Sequence, residues 1–198
     1  SLVYDIIIYI QLRYYIFLRF NYMHFKRLTS HNDLMYEAAM KLYAESFPIY
    51  EQRRSESQIK ILQDNEYKFD LIYDSDQWLG IICFWEFKQF IHIEHFAINA
   101  QLRNKQYGQR SLQLLRKEYV GKKLILEIDP LVDDVAKHRK AFYERCGFVA
   151  NAFKHVHLPY RSGFAGHELI VMSSPGLLSQ LEYDQFNAYL CQVVMREP

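Results

Sequence analysis

Two sets of residues in this chain are of types, and at spacings, that can do chemistry. The first lies in the run from Ala97 to Leu112, where Arg103, Lys105 and Arg110 cluster around Gly108. A strand that gives way to a short basic loop, with a helix opening near Gly108, presents unpaired N–H groups and the positive end of a helix dipole. Together these favour phosphate. One anion at such a terminus gains only about 0.3–1 kcal/mol, so a diphosphate needs several N–H groups and the basic side chains at once. The same residues also suit a solvated basic turn. Neither GxxxxGK(S/T) nor GxGxxG occurs in the loop, which disfavours those two nucleotide-binding classes.

The second set is made of carboxylates inside apolar runs. Glu94 sits within Phe90-Ile91-His92-Ile93-Glu94-His95-Phe96, and Glu127 within Leu124-Ile125-Leu126-Glu127-Ile128. A buried carboxylate is costly unless it faces a cavity, a cation or water, and desolvation raises its pKa toward the range of a useful base. Either residue is therefore a candidate proton acceptor, Glu94 first; an ion pair with a nearby Arg or His is the competing reading. Period-two spacing puts His92 and Glu94 on one strand face, and Glu127 and Asp129 on one face of theirs. His155 and His157 also share a side. No Cys or carboxylate set at zinc-like spacing accompanies these histidines, so no metal is expected. They read instead as pocket lining or as partners in local hydrogen bonds.

The elements that must position these groups follow from periodicity. A short strand spans His24–Leu28. A helix follows, with cap chemistry in Thr29, Ser30, Asn32 and Asp33 and apolar spacing through Leu34, Ala38, Met40, Leu42 and Tyr43; Phe47-Pro48 ends it. Glu51–Gln63 reads as a second helix. Strands are expected over Lys68–Tyr73, Gln77–Phe87, Phe90–Ile98 and Lys123–Ile128, with helices over Gln106–Glu118 and Asp134–Cys146, the latter stopped by Gly147. Late strands are expected over Phe148–Val156 and Glu168–Met172, and a last helix over Leu178–Met195. This is a mixed α/β protein with a central sheet flanked by helices, and its β-α-β-α order from Phe90 to Phe148 makes the strands parallel there.

At 198 residues the chain fits one domain, and a formal net charge of +1 gives no bulk electrostatic reason to expect nucleic acid. Three dispersed cysteines, Cys83, Cys146 and Cys191, without a CxxC pair, fit a reducing cytoplasm. Ser1–Tyr22 is rich in Ile, Tyr, Leu and Phe, but Asp5, Gln11, Arg13 and Arg19 interrupt it, so a membrane anchor is not expected. It reads as an N-terminal extension to a single domain over residues 23–198, or as the product of a start site placed upstream of Met23.

Two landmarks in order resemble the GCN5-related N-acetyltransferase (GNAT) family. That family's signature is a strand, then an Arg/Gln-x-x-Gly-x-Gly/Ala loop opening a helix; the matching residues are Arg103, Gln106 and Gly108. Arg139-Lys140-Ala141-Phe142-Tyr143-Glu144-Arg145-Cys146-Gly147-Phe148 is similar to the second landmark, a helix bearing F-Y-E-x-x-G-F before a strand. The similarity runs from Met23 to about Ser174, and Phe47-Pro48 with Glu51–Arg54, and His157–Tyr160, resemble a bacterial branch. The chain departs from the family at Gln106, where glycine is usual. A helical backbone is expected there, which would make the exchange cheap.

The resemblance implies a GNAT-like fold and transfer of an acetyl group from acetyl-CoA to a small-molecule or peptide amine by direct attack. It places the pantetheine along the main chain of Phe96, Ala97 and Ile98. The diphosphate falls on Arg103, Asn104, Lys105, Gln106, Tyr107, Gly108 and Gln109. It makes Tyr143 the acid that protonates the leaving thiolate, with Glu94 or Glu127 assisting deprotonation of the amine. It puts Phe47–Arg54 over the acceptor pocket, where Tyr50, Glu51, Arg53 and Arg54 either contact the acceptor or form a solvated charged face. Two rivals stand beside this reading: a CoA-binding sensor that does not turn over, and an interaction protein whose working part is the aromatic extension. Aromatic residues in the late strands and last helix are compatible with a homodimer.

Overall fold

The computed structural model describes residues 22–196, so the expected N-terminal extension lies, apart from Tyr22, outside the described residues. Seven strands form one sheet in the order β1-β2-β3-β4-β5-β9-β6: β1 (Met23–Leu28), β2 (Tyr67–Asp74), β3 (Gln77–Phe87), β4 (Phe90–Ile98), β5 (Lys123–Ile128), β9 (Ile170–Ser174) and β6 (Val149–Ala150). A separate two-residue pairing joins β7 (Val156–His157) to β8 (His167–Glu168). β4 and β5 run parallel and every other pairing is antiparallel.

Helices cover both faces. α1 (Tyr36–Ser46), α2 (Ser55–Ile61) and α5 (Gln180–Tyr189) pack on one side, where Tyr43, Phe69, Trp85, Tyr183 and Phe186 form the larger core. α3 (Tyr107–Glu118) and α4 (Asp134–Arg145) cover the other side over Ile91, Leu112, Leu115, Leu126 and Phe148. Strand alternation feeds both layers: along β3, Ile81, Cys83 and Trp85 face the first core while Leu79, Ile82 and Phe84 face the second. Each such side chain contributes about 1.5–3 kcal/mol on full burial.

The irregular parts depart from expectation in specific ways. Leu34 precedes α1 and is 99% exposed. The helix expected over Glu51–Gln63 starts late: a 3-10 turn spans Ile49–Glu51, Gln52 and Arg54 are extended, and α2 begins at Ser55. The strand expected over Phe148–Val156 keeps only β6 and the start of β7, because Asn151 turns the chain out of the sheet. Its side-chain amide donates to Val171 O (3.2 Å) and Ser173 Oγ (3.0 Å), and its Oδ1 accepts from Leu178 N (2.8 Å). The last helix is α5 followed by a π-helical turn, Leu190–Val194.

Candidate active site

The site begins where the sheet opens. Parallel pairing of β4 with β5 runs from Phe90 opposite Lys123 to Ile93 opposite Leu126, and stops. Beyond it β4 stays paired to β3 as far as Ile98 opposite Gly80, while Glu127 and Ile128 stay paired to β9. Each strand is thus held on its outer edge, leaving the backbone of Glu94–Ile98 bare on the edge toward β5. A β-bulge sits at the fork: His95 faces Cys83 and Ile93 faces Phe84, leaving Glu94 as the extra residue. Bulges turn side chains to new directions, and here Glu94 and His95 both point to the α1/α2 side. Glycine at position 80 is required, since a Cβ there would lie 2.1 Å from the carbonyl oxygen of Ala97.

After β4 the chain makes a 3-10 turn over Ala100–Leu102, and Asn104 and Gln106 follow with left-handed backbones (φ 63° and 62°). The helical backbone expected at Gln106 is therefore corrected: the chain must turn from an extended Arg103 into α3 within four residues, and left-handed steps make that turn. For a non-glycine residue this costs about 1–2 kcal/mol. The first helical N–H used inside the chain is that of Arg110, donating to Gln106 O (3.0 Å), which leaves the amides of Tyr107, Gly108 and Gln109 open among the described residues. Gly108 lets α3 pack close to α4, since a Cβ there would come within 3.1 Å of Phe142 Cζ and the ring would have to shift slightly. Arg103 and Lys105 are exposed beside this terminus. Arg110 is instead committed to Asp74 on β2 (2.9 Å).

Glu94 is enclosed. Arg53 Nη2 and Nε donate to its Oε1 at 2.7 and 3.1 Å, Tyr160 OH donates to the same oxygen at 3.0 Å, and Trp85 Nε1 donates to Oε2 at 2.8 Å. Burial raises its pKa, but the Arg53 guanidinium and the donated hydrogen bonds outweigh this and bring it down to about 2. Such a carboxylate is a poor base for an ammonium group. The role of leading base expected for Glu94 thus does not fit its surroundings. Arg53, only 2% exposed, is no solvated surface charge either; Arg54 beside it is exposed and reaches Ser162.

The faces of β4 and β5 do converge. Glu127 Oε2 meets His92 Nε2 at 3.0 Å and Oε1 meets His155 Nε2 at 2.5 Å, with His157 Nε2 3.9 Å away. These histidines hold the Glu127 carboxyl well below its usual range against the opposing effect of burial, so it too is a weak base. No group among the described residues has the makings of a metal centre.

A third carboxylate is differently placed. Glu51 ends the 3-10 turn, where its carbonyl accepts from His95 Nε2 (2.9 Å). Its side chain makes no ion pair or hydrogen bond within the described residues, and it lines a cavity with Glu94, Glu127, Asp129, Arg139 and Tyr160. Burial, then the nearby Asp129 charge, push its pKa up to about 7. Sequence reasoning placed Glu51 either among the acceptor contacts or on a solvated charged face; nothing in linear order shows that it stays unpaired in the cavity. Tyr143, on α4, packs edge-on to Phe142 and Phe148 (5.1 and 5.7 Å). Burial pushes its phenol up to about 12, and its hydroxyl has no partner among the described residues.

Comparison with known proteins places this arrangement in a family. The model of the acetyltransferase (GNAT) family matches residues 32–148. This chain belongs to that family. A GNAT-family protein from Bacteroides thetaiotaomicron is 30% identical, with 87% of this chain and 98% of that one covered and a TM-score of 0.81. The ribosomal-protein-S18-alanine N-acetyltransferase of Escherichia coli (16% identity, 80% and 96% covered, TM-score 0.54) shares the fold. So does an aminoglycoside 6'-N-acetyltransferase solved with coenzyme A (18%, 76% and 96%, TM-score 0.56). No curated protein sequence matches. As a GNAT member the chain is an N-acetyltransferase, an enzyme that moves an acetyl group to an amine. Among the described residues no helix is long and apolar enough to cross a membrane.

Proposed function

We propose that the donor is acetyl-CoA, lying in the opening between β4 and β5, and that a primary amine attacks it directly from the Glu51 cavity. The observation that carries this is the continuity of the bare β4 edge with the open amides of Tyr107, Gly108 and Gln109. The pantetheine would pair with the backbone of Phe96–Ile98, and the diphosphate would take those amides with help from Arg103, Asn104, Lys105 and Gln106. Coenzyme A bound to the aminoglycoside enzyme of the same fold supports the ligand class.

In this reading Glu51 takes a proton from the incoming ammonium, since its pKa lies near neutral pH. The neutral nitrogen attacks the thioester carbonyl carbon; the C–N bond forms and the C–S bond breaks. Tyr143, kept protonated at neutral pH, gives its proton to the thiolate and recovers the one that the nitrogen still sheds. Glu94, paired with Arg53, and Glu127, bound by His92 and His155, hold the pocket wall. The free thiols of Cys83, Cys146 and Cys191 support a cytoplasmic setting.

Thermal shift with CoA, acetyl-CoA and ATP tests the donor site. Stabilisation by the first two only is expected, about 2.7 kcal/mol at a hundred times the dissociation constant. Amine-dependent thiol release then separates an enzyme from a sensor, which would bind without turnover.

A further inference from the structure

A second, larger space adjoins the Glu51 cavity. Both are lined by Asp129, Arg139 and His167, and the outer cleft encloses about 590 Å³ between the start of α4 and the loop joining β7 to β8. Its walls combine two characters. Tyr50, Val132, Val135 and Phe164 line it and are all exposed, Val132 by 83%. Tyr50 and Phe164 lie 6.2 Å apart, ring to ring, and Tyr50 meets His167 edge-on at 6.0 Å, so the apolar residues form an aromatic shelf over the mouth. Apolar side chains clustered at the rim of a cleft mark a binding surface.

The charges in the same walls are mostly acidic. Asp129, Asp133 and Glu168 line the cleft against the single cation Arg139, which is already paired with Asp129. In the inner cavity Glu94 is balanced by Arg53 and Glu127 is bound by His92 and His155, leaving Glu51 as the carboxylate without a partner among the described residues at the amine's position. A carboxylate or phosphate beside the amine would meet the net acidic excess of Glu51, Asp133 and Glu168, which costs binding, whereas a cation is drawn inward.

We propose that the acceptor is a primary monoamine with an aromatic or bulky apolar arm and no anionic group next to the nitrogen. Its ammonium enters between Glu51 and Asp129, and its arm lies on the Tyr50–Phe164 shelf. The proposal rests on the direct-attack reading above and specifies its substrate.

Matched pairs test it. Full-length protein with acetyl-CoA is assayed with 2-phenylethylamine against phenylalanine, which differ by a carboxylate. The same amine is then compared with ethylamine, which lacks the ring. The amine should exceed each comparison compound in kcat/KM by at least tenfold, and Phe164→Ala should narrow the gap to ethylamine. Asp129→Asn should narrow the gap to phenylalanine. Equal rates across either pair, or preference for spermidine, would overturn the proposal. If no amine is turned over, the transfer reading fails. Equilibrium binding of the same compounds to the CoA-loaded protein then decides the acceptor class separately, by the same ratios.

Discussion

Arg53 Nη2 bridges Glu94 Oε1 and the carbonyl oxygen of Val194, each at 2.7 Å, with both side chains of the ion pair about 1% exposed. The guanidinium also lies 5.6 Å from the Trp85 ring and 5.4 Å from the Tyr160 ring. One arginine therefore ties the α1–α2 connection, the β4 bulge and the C-terminal π-turn to a single point. Removing one partner of a buried pair leaves the other uncompensated, at a cost of about 3–5 kcal/mol. Arg53→Met should lose that much in urea unfolding, and Glu94→Gln should also destabilise, since its single amide oxygen can serve Arg53 and Tyr160 or Trp85 but not both sides.

The same pair sets an acid limit. Glu94 is depressed to about 2 in the fold, so its contribution is complete above the unfolded value near 4.3. It is lost as pH falls through about 2. Wild type should lose stability over that window, and Glu94→Gln should show a smaller slope there.

Glu51 behaves with the opposite sign. Its carboxyl is raised to about 7, so the folded state holds a proton that the unfolded state has released. Stability should fall as pH rises from the unfolded value toward 7. Glu51→Gln should be more stable than wild type at pH 8 and little changed at pH 4. Its kcat/KM should drop by about 10²-fold and lose the limb that rises through pH 7. An unchanged limb would assign the proton elsewhere.

Tyr143→Phe keeps the packing against Phe142 and Phe148 and removes only the hydroxyl. Single-turnover rates should fall by about 10²-fold or more, the range of general acid catalysis. CoA affinity and the melting temperature should hold.

Gln106→Gly relieves a left-handed backbone. Against a strain of about 1–2 kcal/mol stands the added chain entropy of glycine, about 0.5–1 kcal/mol. A net gain near 0.5–1 kcal/mol in denaturant unfolding is expected, along with tighter CoA binding through a less crowded approach.

How much of this could be read from sequence differs by element. β3, β4 and β5 match their expected bounds because period-two runs of Ile, Phe and Trp leave few alternatives. Residues 52–54 did not read correctly: their composition suits a helix, but Arg53 is drawn inward to Glu94 and its main-chain N–H donates to Tyr43 OH (3.1 Å), which holds the segment extended. The shared face of His92 with Glu94 followed from the pleat, whereas Asp129, expected on the Glu127 face, lies beyond the end of β5 and pairs with Arg139 on α4, and the His92–Glu127 contact depends on strand order. Buried carboxylates could be found in the sequence. Which of them would be neutralised depended on cations and histidines some 28 to 41 residues away.

The extra residue in β4 also makes strand length a heritable constraint. Before the bulge Ile91 and Ile93 face the α3/α4 core, and after it Phe96 and Ile98 do, with Ala97 on the other side. Losing one codon between 90 and 93 would put this segment out of phase, exchanging Phe96 and Ile98 with Ala97 between the two layers. The residue count of this strand is therefore held as tightly as its buried side chains, and paralogues that change acceptor should do so by swapping pocket-lining side chains around a fixed count.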